Sequence, residues 1–159
     1  KKALSQPGQF ACEECLDVIG PKGVLTKVRV LGPERNATQV ELSQTDCRTI
    51  GINAPVRDSG DLEGTPGIKL RGPLGEIEIP KGVIIADRHI HMSPADAERF
   101  GLKDGDRVKV KIDGVKPGVM EHVLIRSGEK HRLDMHIDTD DGNAFMLKQG
   151  QLVTVLGKE

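Results

Sequence analysis

The chain has 159 residues, a formal net charge of −1, three Phe, and neither Tyr nor Trp. Interspersed charges without a basic stripe, and almost no ring for a base to stack on, argue against a nucleic-acid partner. No apolar run reaches membrane-spanning length, no export signal opens the sequence, and the three cysteines are odd in number, so a soluble cytoplasmic chain is expected.

Residues 1–10 contain the turn signal Ser5-Gln6-Pro7-Gly8-Gln9 and show no clean periodicity. Cys12-Glu13-Glu14-Cys15 has metal or redox spacing. On a regular strand, however, residues three apart face opposite ways, so ordinary reduced thiols are the expectation unless the segment turns. Residues 16–19 and 24–31 flank Gly20-Pro21-Lys22-Gly23 and read as a β-hairpin. A short strand at 38–42 precedes Ser43, which with Asp46 three residues on and a closing Gly51 predicts a short capped helix. Residues 53–67 then form a Gly/Pro-punctuated loop with no element of its own. That loop carries Arg57, Asp58, Asp61 and Glu63. It is either a solvated surface loop or a segment presenting a guanidinium to an anion and a carboxylate to a metal.

A second hairpin, 68–71 and 76–79, turns at Gly72-Pro73-Leu74-Gly75, so Gly-Pro-x-Gly recurs 52 residues after its first appearance. The apolar run Val83-Ile84-Ile85-Ala86 predicts a buried strand leading into Asp87-Arg88-His89-Ile90-His91-Met92-Ser93-Pro94-Ala95-Asp96. In strand geometry His89 and His91 share a face while Ile90 points away. Ser93 as N-cap, Pro94 at the first helical position and Gly101 as C-cap predict a helix ending at Phe100. By themselves the two imidazoles are either an exposed or hydrogen-bonded pair or two ligands of one ion.

The segment 102–110 is echoed 45 residues later by 147–155, and at that offset His91 matches His136. A strand at 133–137 places Asp134 and His136 on one face, before the cap-rich Asp138-Thr139-Asp140-Asp141. Such repeats predict a mainly β protein of two small β-barrels with short capping helices, divided into residues 1–82 and 83–159. In that arrangement His89, His91 and His136 surround one metal, with an open position fit to polarise a carbonyl or hold an oxyanion. Asp134, Asp138 and Asp140 are candidates to fix imidazole tautomers, with helix capping the alternative for the last two. His122 and His131 read as surface or hydrogen-bonding residues. Neither Ser59 nor any cysteine lies in a nucleophile motif with a base, so a covalent intermediate is not expected.

Ala86-Asp87-Arg88-His89-Ile90-His91-Met92-Ser93-Pro94, Met135-His136-Ile137-Asp138-Thr139-Asp140 and Pro55-Val56-Arg57-Asp58-Ser59-Gly60-Asp61-Leu62-Glu63-Gly64 stand in this order. Together with Lys1 to Gly8 they closely resemble the PduL-type phosphotransacylase (phosphate propanoyltransferase) family over essentially the whole length. The resemblance implies two β-barrels, a two-zinc site, and reversible transfer of an acyl group, propanoyl in the family, between coenzyme A and inorganic phosphate. Carried over, His89, His91 and His136 ligate one zinc, Glu63 ligates the other, and Arg57 is the catalytic arginine on the phosphate side. The family's upstream Arg-His-x-His-Leu-Ser motif is not in this sequence, so one zinc rather than two is expected here. The partners implied are acyl-CoA and phosphate, with homo-oligomers and, for the family, a bacterial microcompartment as further expectations. No coenzyme A-binding residue is assigned, and no role passes to Cys12 or Cys15. The competing readings are an inactive zinc-binding barrel and a metal-dependent hydrolase that uses the same histidines.

Overall fold

A computed structural model describes residues 1–159. The protein is mainly β, with three short helices, and none of them is long and apolar enough to cross a membrane. It divides into two compact units: residues 1–4 with 8–86, and residues 5–7 with 87–159.

In the first unit β1 (Lys2–Ala3), β2 (Phe10–Ile19) and β3 (Val24–Gly32) precede β4 (Val40–Glu41) and α1 (Gln44–Ile50). Then come β5 (Val56–Arg57), β6 (Ile68–Gly72), β7 (Gly75–Ile79) and β8 (Val83–Ala86). Both Gly-Pro-x-Gly segments make the antiparallel hairpins expected of them, β2–β3 and β6–β7. Gly20 is obligatory for packing: a Cβ there would lie 2.4 Å from the carbonyl oxygen of Ile50, at the end of α1. That helix is closed by a reciprocal cap between Ser43 and Asp46, and Gly51 ends it at φ 80°.

The unbroken apolar run of β8 has a direct cause. It pairs in parallel with β4 along one edge and β5 along the other, and Val83, Ile84 and Ile85, which point to both faces, are all buried. Fully burying a side chain such as Ile84 contributes roughly 1.5–3 kcal/mol. The expectation that residues 53–67 carry no element is corrected by β5, in which Arg57 is opposite Ala86. Two residues are too few to show a period; only the open edge of β8 makes them a strand.

β2 begins well before residue 16, and its early part is bulged. Ala11 faces Leu31 and Cys15 faces Arg29, leaving Cys12, Glu13 and Glu14 opposite Val30 alone. The Arg29 guanidinium holds the bulge by donating to the carbonyls of Cys12 and Glu13. Both thiols are free.

The second unit holds β9 (His89–Met92), α2 (Pro94–Phe100), β10 (Arg107–Ile112), β11 (Gly118–Ser127), β12 (Asp134–His136), α3 (Thr139–Ala144) and β13 (Thr154–Lys158). Its five strands lie in the order β12-β9-β11-β10-β13. The echoing segments 102–110 and 147–155 contribute to β10 and β13, which pair antiparallel. One face of the sheet forms the core: Ile90, Met92, Val108, Val110, Ile112, Met120, Val123 and Ile125 are all buried. α2 has the Ser93 cap, Pro94 and Gly101 as expected from the sequence, and it presses Ala97 into this core.

Candidate metal centre

The centre follows from register. β9 pairs in parallel with β11 and antiparallel with β12, so residues from three chain segments stand in rows across the sheet. His136, His89 and Leu124 form one row; Asp134, His91 and Arg126 form the next. Met135, Ile90 and Ile125 form the row between them on the core face. Directly paired residues on one face have Cβ atoms about 4.5–5.5 Å apart, so three imidazoles converge without a loop having to fold over them.

Potential ligand atoms of His89, His91 and His136 all lie within 4.8 Å of one another. His89 donates Nδ1–H to the Asp87 carbonyl at 2.8 Å, which fixes its tautomer and turns Nε2 toward the Nε2 of His91, 3.2 Å away. His91 is 6% exposed, and its Nδ1 is buried without a hydrogen-bond partner. If that Nδ1 carries the proton, two ring lone pairs face each other at 3.2 Å; if Nε2 carries it, a bare acceptor stays buried. A cation between the rings removes the first conflict, so these residues fit a metal ion. Burial, followed by the neighbouring His89, His136, His131 and Arg126 charges, pushes the His91 pKa down from 6.5 to about 3. His91 is therefore in the neutral form that a metal requires.

His136 Nε2 lies 3.1 Å from Asp134 Oδ2 and 3.2 Å from Ser5 Oγ. Among the acidic candidates, Asp134 contacts an imidazole, that of His136. Asp138 instead caps α3 by accepting from the Asp141 amide. His131 is a hydrogen-bonding residue, as expected from the sequence, and it also packs against the cluster. Its ring centroid is 4.5 Å from that of His91, and its Nδ1–H is donated to the Arg126 carbonyl. The turn after β11 folds it back, and that turn has no periodic signal. Ser5, which the sequence marks only as part of a turn, reaches the centre from 131 positions away. His122 is exposed and bonded to Glu159, away from the cluster.

Arg57 and Glu63 belong to the first unit. Arg57 donates to Asp61 at 2.9 Å, and Glu63 accepts from Lys81 at 2.6 Å. The lysine holds the Glu63 carboxyl below its ordinary pKa.

A family model described as phosphate propanoyltransferase matches residues 1–148. The chain belongs to the phosphate propanoyltransferase family. The phosphate propanoyltransferase of Thermotoga maritima is 54% identical over 156 residues, spanning 98% of this chain and 74% of that protein. Its counterpart from Escherichia fergusonii is 52% identical over 157 residues, 98% of this chain and 75% of that protein. That of Salmonella typhimurium is 55% identical over 145 residues, 91% of this chain and 69% of that protein. The chain is thus placed among transferases, and the histidine cluster stands within the matched region.

Proposed function

We propose that this protein transfers a short acyl group reversibly between coenzyme A and inorganic phosphate, with propanoyl as the family's acyl group. The observation that carries the reading is the convergence of His89, His91 and His136 in a chain of this family. Zinc is the proposed ion: three neutral imidazole nitrogens leave a coordination position open, as catalytic zinc sites do. When bound, it supplies a Lewis acid that polarises a carbonyl or phosphoryl oxygen.

The remaining steps belong to the chain's own residues and its substrates. A phosphate oxygen attacks the thioester carbonyl carbon, the carbonyl becomes a tetrahedral oxyanion, and the carbon–sulfur bond breaks. Acyl phosphate and the thiolate of coenzyme A leave. Arg57 is the proposed phosphate-side residue, its fork matching two phosphate oxygens in exchange for Asp61. His89 is oriented by the Asp87 carbonyl, and His136 by Asp134. Glu63 is the proposed ligand of a second zinc, in exchange for Lys81. No enzyme nucleophile is required, because phosphate itself attacks.

The two-barrel, internally repeated plan with a division near residue 82 belongs to the same reading. It is supported by α1 and α2, each opened by a serine cap and closed by a left-handed glycine. Soluble, cytoplasmic placement or residence in a microcompartment, and self-association, are likewise part of the proposal rather than of the geometry.

The test is phosphate-dependent release of thiol from propanoyl-CoA by the zinc-loaded protein, alongside elemental analysis. Zinc retained by the three histidines and release only when phosphate is present are expected. Release without phosphate would favour the hydrolase, and zinc without turnover the inactive barrel.

A further inference from the structure

The tri-histidine face has an unspent positive charge. Arg88 is paired with Asp141, and Arg107 is tied to Asp87 and the His122 carbonyl. Arg126, half-buried on β11, has no carboxylate, carbonyl or hydroxyl partner for its guanidinium. Yet it stands directly beside His91 in the row Asp134–His91–Arg126. Asp134 cannot neutralise it: two strand spacings, about 9–10 Å, separate them, and Asp134 faces His136. A half-buried guanidinium without a counter-charge is costly unless an anion completes it.

The face is therefore polarised. A carboxylate flanks His91 on one side and an open arginine fork on the other, while Leu124, 8% exposed, closes the row beside His89. An anion approaching the imidazoles is repelled from the Asp134 flank and drawn to the Arg126 flank. Arginine's planar fork suits two oxygens of a tetrahedral phosphoryl group.

We propose that Arg126 is a phosphoryl-binding residue of the histidine face, gripping the oxyanion that sits beside the three imidazoles. This rests on the acyl-transfer reading for the source of the oxyanion, which is either inorganic phosphate with its acyl phosphate product or a phosphate of coenzyme A. The two sources share one chemistry and are separable by experiment.

The experiment uses the full zinc-loaded chain and the variants Arg126→Met and Arg126→Lys, first matched for zinc content and thermal midpoint. Calorimetric titration with inorganic phosphate, and separately with coenzyme A, reads the affinity directly. Loss of a charge-assisted fork should weaken phosphate binding about tenfold to a hundredfold in Arg126→Met, with partial recovery in Arg126→Lys. The KM for phosphate should rise in step while kcat stays within about threefold. Weakened coenzyme A binding with unchanged phosphate affinity would assign the oxyanion to the cofactor and keep the role. Unchanged affinity for both would overturn the proposal. Should Arg126→Met not fold, Arg126→Lys decides alone, since a point charge without the fork should still lose several-fold. Phosphate binding that depends on Arg126 in a wild-type protein without acyl transfer would sink the reaction but leave this assignment standing. Acyl transfer by both variants with unchanged affinities would do the reverse.

Discussion

The histidine face of the second unit and the Arg57/Glu63 loop of the first carry their charge in opposite ways. The histidines are set by strand register and leave a buried nitrogen unsatisfied. The loop residues are already satisfied by local ion pairs, Arg57 with Asp61 and Glu63 with Lys81. On the proposed reading, one region is set for a ligand by strand register, and the other must exchange partners before it can act. Substitutions should therefore do different damage in the two places.

The largest effect is expected at His91. His91→Ala should lose retained metal and lower phosphate-dependent thiol release by more than the about 10–100-fold typical of residues that merely orient a ligand. Metal content by elemental analysis and a thiol assay check both, and full metal retention would contradict the assignment. Arg57→Ala should cut turnover about 10²–10³-fold, the cost of removing a donor from a developing charge, yet leave metal content untouched.

Acid should break the comparison more gently. In the metal-free protein His91 takes up a proton only near pH 3, whereas the unfolded chain does so near 6.5. Between those values the unfolded state binds more protons, so stability is lost as pH falls through this window. The slope approaches about 1.4 kcal/mol per pH unit for a single group. Urea titrations at pH 7 and pH 5 measure it, and His91→Leu should flatten it. The smallest effect is expected at Lys81→Ala, where an exposed pair is lost. The thermal midpoint should not move measurably, whereas a clear drop would show that the loop is anchored there.

Legibility in the sequence followed the range of the forces. Ser43, Ser93, Gly51 and Gly101 act within a few residues, and both helices they bound were readable from spacing alone. The shared face of His89 and His91 followed from strand alternation, and the match of His136 to His91 placed the third imidazole. What could not be read needed partners far away in the chain. β5 exists only because β8 offers an edge. His131 comes back to His91 through a turn, and Ser5 reaches His136 across most of the sequence. Arg126 becomes notable only once β11 is known to lie parallel to β9 in that register. The bulge at Cys12 hid the early part of β2 because it interrupts the alternation by which a strand is recognised.

The middle position of β9, with β11 and β12 on its flanks, has a consequence for how the protein is made. His89 and His91 leave the ribosome before either strand that frames them, since Gly118–Ser127 and Asp134–His136 are translated later. At about 5–20 residues per second the nascent chain spends seconds with a bare imidazole pair and no third nitrogen. An ion bound at this face would therefore find its third nitrogen only once β12 has been made, which sets folding of the sheet ahead of tight capture.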